Sequence, residues 1–276
     1  MMRIIYFFAA AIFAVGFGCG PSFAEKRVAL VIGNGAYRAP LELANPPADA
    51  RAVAEALSRV GFQVIQGYDL KNAEMTAKMK EFSRALEGAD AGLFYYAGHG
   101  MQVAGENYLV PVDAVLKDER DLEFDAVKLD SVMRQLLRDA KVKIVILDAC
   151  RDNPLATQIS RSLGAARSRS LNPMAGMAAI DTQSASGTMI AFATSPGTVA
   201  SDGDGKHSPF TTALLTHLET PNLDIDLMMK RVRHPGPGYC TCSGLAGASR
   251  ANDGFSRCGN IKFEFAHAQH GRHCQQ

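Results

Sequence analysis

The chain has 276 residues, 47% of them hydrophobic and 21% charged, which is enough for a sizeable core and too balanced for a disordered or collagen-like polymer. Its 29 Lys and Arg offset 28 Asp and Glu, so no global field draws it to nucleic acid or to an anionic membrane surface.

Residues 1–24 read as a signal peptide. Arg3 supplies the positive start, Ile4 to Gly18 is an apolar run, and Ser22-Phe23-Ala24 is a small-x-small cleavage site. The run falls short of the roughly 20 apolar residues that span a bilayer, so no stable membrane span is expected after removal of the leader. The sequence therefore reads as exported and periplasmic.

From Lys26 onward, short apolar runs alternate with segments of helical period, the pattern of a mostly parallel sheet covered on both faces. Val28–Ile32, Phe62–Ile65, Leu93–Tyr96 and Ile144–Leu147 are the first four strands, each apolar enough to be buried on both sides. Ala50, Val53, Leu57 and Val60 mark the first helix; Met75, Met79, Phe82 and Leu86 mark the second; Val132, Met133, Leu136 and Leu137 mark the third. Asn72 and Asp130 stand where N-caps of the latter two belong. Residues 154–187 turn to Ser, Ala, Gly and Arg without a clear period, and that length of connection reads as functional or mobile. Met189–Ala193 resumes as a strand. Pro209 opens a helix with Phe210, Leu214 and Leu218, and Asp224 opens a last one with Leu227, Met228 and Val232. Residues 234–276 form an irregular tail rich in Cys and His.

The six cysteines are unevenly placed. Cys19 leaves with the leader, while Cys240, Cys242, Cys258 and Cys274 crowd the tail, where irregular spacing without paired C-x-x-C knuckles argues against zinc. Cys150 is thus the lone thiol of the ordered region. It lies just past the fourth strand in Asp148-Ala149-Cys150-Arg151-Asp152-Asn153-Pro154. His99 lies just past the third, in Tyr95-Tyr96-Ala97-Gly98-His99-Gly100. Open α/β sheets place reactive groups at such strand ends. An imidazole beside a thiol can take its proton, free the nucleophilic thiolate and later protonate a leaving amine. Taken singly, Cys150 could equally be a small buried hydrophobe and His99 a turn histidine.

YYAGHG, followed 51 residues after its histidine by the cysteine of DACRDNP, resembles the caspase-like peptidases, in particular their bacterial metacaspase and orthocaspase branch. The resemblance extends over about residues 26–233 and takes in VALVIGNGAY at 28–37, LANPPADA at 43–50, NYLVPVDA at 107–114, FATSPGTVASDG at 192–203 and HSPFTTALL at 207–215. It implies an α/β caspase-like three-layer sandwich, a mostly parallel central sheet flanked by helices, over residues 25–233. It further implies a cysteine endopeptidase in which His99 is general base and acid and Cys150 the nucleophile, with a thioester acyl-enzyme. The backbone N–H groups of Gly100 and Cys150 would form the oxyanion hole.

Metacaspase-like members cut after Arg or Lys, and the acidic positions that match their specificity pocket are Asp49 and Asp148. Where that pocket often carries a small polar residue, this chain has Ala97. The implied partners are proteins or peptides with basic residues. Arg161, Arg167 and Arg169 stand in the segment where the family is often processed, so self-cleavage after one of them is expected. No cofactor or metal is implied by the dyad. Calcium activation stays open, since some relatives need calcium and Asp113, Asp118, Glu119 and Asp121 cluster, although such spacing is not diagnostic. Asp202-Gly203-Asp204-Gly205 lacks the closing Glu of an EF-hand, and Gly33-Asn34-Gly35 lacks the last glycine of a dinucleotide fingerprint. The family continues past Met229–Arg233 into an apolar-Pro-Trp motif, yet this chain has no Trp, which points to a shifted reading frame near His234. The competing reading is a catalytically silent caspase-like binding or scaffold domain.

Overall fold

Arg27–Gly33 (RVALVIG) has no polar residue after its first position, so neither side of an extended chain can face water; it forms the inner strand β1. The computed structural model describes residues 25–149, 159, 174–175, 187–193 and 205–233. Along β1, Ala29 and Val31 enter one hydrophobic core while Val28, Leu30 and Ile32 enter a second on the opposite face. The period of two thus builds both outer interfaces of the sheet at once.

In chain order, β1 leads to helix α1 (Pro46–Arg59), β2 (Gln63–Tyr68), α2 (Asn72–Ala85) and β3 (Ala89–Ala97). A small hairpin follows, β4 (Gly100–Val103) and β5 (Glu106–Leu109). A 3₁₀ turn at Glu119–Asp121 runs into the short α3 (Leu122–Asp125), and then come β6 (Val127–Lys128), α4 (Leu129–Asp139) and β7 (Ala140–Asp148). Beyond them lie β8 (Met174–Ala175), β9 (Thr188–Phe192), α5 (Pro209–Leu218) and α6 (Ile225–Arg233).

The main sheet has the order β2-β1-β3-β7-β9, every neighbouring pair parallel. Helices α1, α5 and α6 pack on one face and α2 and α4 on the other, giving three layers as expected. From β1 the chain steps outward to β2 and then across to β3, so the direction of winding reverses between β1 and β3, the place where such sheets open a crevice. The carboxyl ends there are level: Gly33 pairs with Ala97, and Ala97 with Asp148. Gly33 also admits the first turn of α1, because a Cβ there would stand 2.2 Å from the Pro46 carbonyl oxygen.

Several expectations need correction. The second strand begins at Gln63, with Phe62 packed beneath α1; as an edge strand it exposes Gln63 and Gln66 instead of burying both faces. Asn72 is the first residue of α2, not its cap: the Glu74 carboxylate accepts from Lys71 N–H at 2.8 Å and holds the helix start. Asp130 lies inside α4 and pairs with Arg134 one turn on. Leu227 points outward, whereas Met228 and Val232 are buried as expected, together with Ile225 and Met229. Pro209 and Asp224 do open their helices, with the Asp224 carboxylate accepting from Asp226 N–H at 2.8 Å.

The second sheet, β6-β5-β4-β8, is antiparallel and unanticipated. Its hairpin turns on Ala104 and Gly105, both at positive φ, which matches the twist of a two-residue connection. Met174–Ala175, within the 154–187 segment, adds its edge strand, and Ile159 is buried in its core; Arg161, Arg167 and Arg169 lie outside the described residues, as do residues 1–24 and the tail from 234. Among the described residues no helix is long and apolar enough to cross a membrane.

Candidate active site

His99 follows the central strand β3 after one sharp bend. The bend is Gly98, at φ +151°, where a Cβ would stand 2.8 Å from both the Tyr37 and Tyr96 hydroxyls. No other residue fits, because both the conformation and the space exclude a side chain. Past the bend, His99 N–H donates to the Tyr37 hydroxyl at 3.0 Å, and its carbonyl accepts from Val110 N–H at 3.1 Å. The Tyr37 and Tyr96 hydroxyls both reach the Val110 carbonyl at 3.0 Å. These tyrosines weld the histidine's backbone to the end of β5.

The imidazole itself is 2% exposed and lies against the Tyr37 ring, centroids 4.5 Å apart and planes tilted by 52°. Its Nε2 stands 2.8 Å from the Leu41 carbonyl oxygen. A carbonyl can only accept, so Nε2 carries the hydrogen, and in the neutral ring Nδ1 holds the lone pair of a base. Leu41 is held in turn: its N–H donates to the Arg38 carbonyl at 3.0 Å, and Leu43 N–H closes back on the Gly35 carbonyl at 2.9 Å. The Asp69 carboxylate fastens the loop by accepting from Gly35 and Ala36 N–H, both at 2.8 Å.

The two acidic residues singled out from the sequence come together on the α1–α5 side of the sheet. Strand alternation explains Asp148: Ile144 and Ile146 face that core, so two residues on the Asp148 carboxylate emerges on the same side. Asp49 arrives there from the first turn of α1. Both carboxylates are fully buried and both are bound by Ser208. Ser208 Oγ donates to Asp148 at 2.5 Å, and Ser208 N–H donates to Asp49 at 3.2 and 3.3 Å. The same Oγ caps α5 by accepting from Thr211 N–H at 3.0 Å. Thr211 Oγ1 also donates to Asp148 at 3.1 Å and receives the buried Tyr95 hydroxyl at 2.7 Å. His207 Nδ1 completes the group at 2.8 Å from Asp49 Oδ1. Both carboxyl groups thus lie at the N-terminal end of α5, where the helix dipole favours negative charge.

Ser208, Thr211, His207, Tyr37 and the Leu41 carbonyl escaped the sequence reading as site residues. Ser before Pro at a helix start is a visible cap signal, but nothing local shows that the capping hydroxyl also holds a carboxylate 60 residues away. Gly100 opens β4 immediately after His99 and is buried. Cys150 lies outside the described residues; Ala149, fully buried, is the last described residue before it. Of the clustered acids, Asp113 accepts from Asn72 N–H at 2.9 Å, Asp118 from Arg120 N–H at 2.8 Å and Asp121 from Lys117 N–H at 2.7 Å. Among the described residues no group of three His, Cys, Asp or Glu could hold a metal ion.

The model of the caspase domain, peptidase C14, matches residues 26–235. Over 128 residues, 46% of this chain, the sequence is 32% identical to mucosa-associated lymphoid tissue lymphoma translocation protein 1 of Homo sapiens. Its homolog in Mus musculus is 31% identical over 132 residues, 48% of this chain. These matches cover 15% and 16% of the two relatives, so the chain corresponds to a small part of each.

Proposed function

The chain belongs to the caspase-domain family of peptidases, and from that premise we propose that it is a metacaspase-type cysteine endopeptidase that cuts after Arg or Lys. The observation that supports the dyad is the register of two adjacent strands. Ala97 of β3 pairs with Asp148 of β7, and His99 and Cys150 each follow two residues further on. The Leu41 carbonyl, which can only accept from Nε2–H, supports a neutral tautomer with Nδ1 as the basic nitrogen of the imidazole.

In this reading His99 Nδ1 takes the Cys150 thiol proton, and the thiolate sulfur donates an electron pair to the scissile carbonyl carbon. The backbone N–H groups of Gly100 and Cys150 receive the oxyanion. Collapse breaks the C–N bond, and the proton held by His99 leaves with the amine, giving a thioester. Water then surrenders a proton to His99 and attacks the thioester; breaking the C–S bond releases the carboxylic acid and restores the thiol. No external base or metal enters the balance.

Asp49 and Asp148 supply the negative field for a basic side chain. One carboxylate at 4 Å from a substrate cation is worth about 4 kcal/mol at an effective dielectric of 20, before desolvation. The natural partners are proteins or peptides with exposed basic residues, encountered outside the cytoplasm. Arg161, Arg167 or Arg169 would be an internal substrate of the same kind.

The test is hydrolysis of paired fluorogenic peptides ending in Arg or in citrulline, its uncharged counterpart, by the full chain and by Cys150→Ala, with and without calcium. The expected result is turnover of the Arg peptide that Cys150→Ala abolishes. No turnover under any condition overturns the peptidase reading and leaves a binding domain. Equal turnover of the two peptides overturns the acidic pocket alone.

A further inference from the structure

We infer that Asn34 is a positioning residue, whose carboxamide ties the end of β2 to the end of β5 and so fixes the backbone of His99. This role rests on the proposed peptidase reading, in which His99 is the base. Asn34 is the middle of the Gly33-Asn34-Gly35 turn, which lacks the last glycine of a dinucleotide fingerprint and so needs another use. It lies just past β1 and is fully buried, and a Cβ at the following Gly35 would stand 2.3 Å from the Leu43 carbonyl oxygen.

Both polar atoms of the Asn34 side chain bind backbone. Oδ1 accepts from Leu70 N–H at 2.9 Å, while Nδ2 donates to the Leu70 carbonyl at 3.4 Å and to the Val110 carbonyl at 3.3 Å, with Met75 Sδ 3.5 Å away. The carboxamide thus meets both backbone groups of Leu70, as a neighbouring strand would, and reaches from there to Val110 beyond β5. The backbone bridges the same gap where Val112 N–H donates to the Leu70 carbonyl at 3.1 Å. Asn34 N–H donates to the Ala97 carbonyl at 2.9 Å, so this one residue joins the ends of β1, β2, β3 and β5.

Val110 is what holds His99. Its N–H donates to the His99 carbonyl at 3.1 Å; its carbonyl accepts from the Tyr37 hydroxyl at 3.0 Å, which in turn accepts from His99 N–H at 3.0 Å. Both backbone groups of His99 are therefore referred to Val110, and Val110 to Asn34. The set asks for donors to two carbonyls and an acceptor for one N–H, which a carboxamide offers and an ionised carboxylate or an aliphatic chain does not. Without it Leu70 N–H loses its acceptor away from water, the end of β2 and Val110 relax apart, and His99 follows. A displaced base slows bond making, whereas Asp49 and Asp148 keep their bonds to Ser208.

The test compares the full chain with Asn34→Ala and with Asn34→Ser, whose hydroxyl is too short to meet Leu70 and Val110 together. Two readouts are taken on folded protein: kcat and KM for the Arg peptide, and amide hydrogen exchange at Val110 against that at Leu30 inside β1. Both variants are expected to lower kcat about tenfold with KM within about twofold, and to speed exchange at Val110 about tenfold beyond any change at Leu30. Unchanged kcat with a lower urea midpoint and equal acceleration of both amides overturns the inference, since it leaves Asn34 a structural role alone. So does a raised KM at unchanged kcat, or a Val110 amide that already exchanges freely in the unaltered chain. An unaltered chain without turnover overturns the peptidase reading and with it the catalytic consequence, whereas the exchange ratio still decides whether Asn34 holds Val110.

Discussion

Ser208→Ala is the substitution that most directly tests how the acidic pair is held. Ser208 is 1% exposed, and its hydroxyl and N–H make three contacts: Oγ–H to Asp148 at 2.5 Å, Oγ from Thr211 N–H at 3.0 Å and N–H to the Asp49 carboxylate at 3.2 Å. Alanine keeps the third and removes the first two. Loss of an N-cap costs about 1 kcal/mol. Loss of a hydrogen bond to a buried carboxylate costs about 1.5–3 kcal/mol, because the charge keeps its desolvation penalty. Together the expected loss is about 3 kcal/mol, or about 6–12 °C in melting temperature for a domain near 200 residues.

The assay is urea unfolding of the unaltered chain, Ser208→Ala, Asp148→Ala and the double variant. The cycle isolates the Ser208–Asp148 term, expected at about 1.5–3 kcal/mol, from the cap, which only Ser208→Ala removes. Ser208→Thr, which keeps the hydroxyl, is expected to recover most of the loss. A Ser208→Ala cost under about 1 kcal/mol with no coupling to Asp148 would refute the reasoning, since it would mean that the hydroxyl does not carry the carboxylate.

Three further outcomes follow from the same bonds. Tyr37→Phe removes the acceptor of His99 N–H and a donor to the Val110 carbonyl while keeping the ring against the imidazole; kcat on the Arg peptide is expected to fall about tenfold with KM within about twofold, and stability by about 1–3 kcal/mol, and a raised KM with unchanged kcat would contradict a role in placing His99. Gly98→Ala combines a positive φ with a Cβ at 2.8 Å from two hydroxyls and is expected to cost about 3 kcal/mol or more, read as a lower urea midpoint; an unshifted midpoint would contradict the tightness of this bend. The Arg59–Glu219 pair joins the end of α1 to the end of α5 by two hydrogen bonds, and the Arg59 guanidinium holds the Glu219 carboxyl below its ordinary value. A lowered carboxylate contributes stability above its unfolded value and loses it as pH falls through the lower folded one. Glu219→Gln should therefore cost less than about 1 kcal/mol at pH 7, both side chains being partly exposed, and the difference should vanish in acid; a difference that grows as pH falls would contradict the pairing.

The main sheet was legible because its inner strands are buried on both faces. A run such as VALVI has no other stable use in a chain that also offers amphipathic helices between its runs. The second sheet was not, since strands of two to four residues carry no period and QVAGENYLV declares its hairpin only through the Ala104-Gly105 turn. Cap positions failed by one residue at Asn72 and by two at Asp130 because a nearby polar residue predicts a helix start more securely than its register. Among candidate site residues, His99 stood out from its place past a strand end, and Asp49 and Asp148 through the family resemblance. Ser208, His207 and Tyr37 did not, since each acts through partners 59 to 159 residues distant, and only the folded register brings them together.

That register also explains why one short segment carries so much of the site. HSPF at 207–210 must start a helix, end a loop and complete the acidic pair, and it does all three with adjacent groups: Pro209 needs no N–H partner in the first turn, the Ser208 hydroxyl caps it, and the Ser208 N–H and His207 ring turn back to Asp49. The helix end so exposed is positive, which offsets part of the cost of burying two carboxylates side by side. Asp148 lies at the end of the strand that leads to Cys150, and Asp49 at the start of the helix that follows β1. A shift of α5 by one residue would release both carboxylates at once, so helix register, core packing of Phe210 and Leu214, and the placement of the acidic pair are properties of a single cooperative unit.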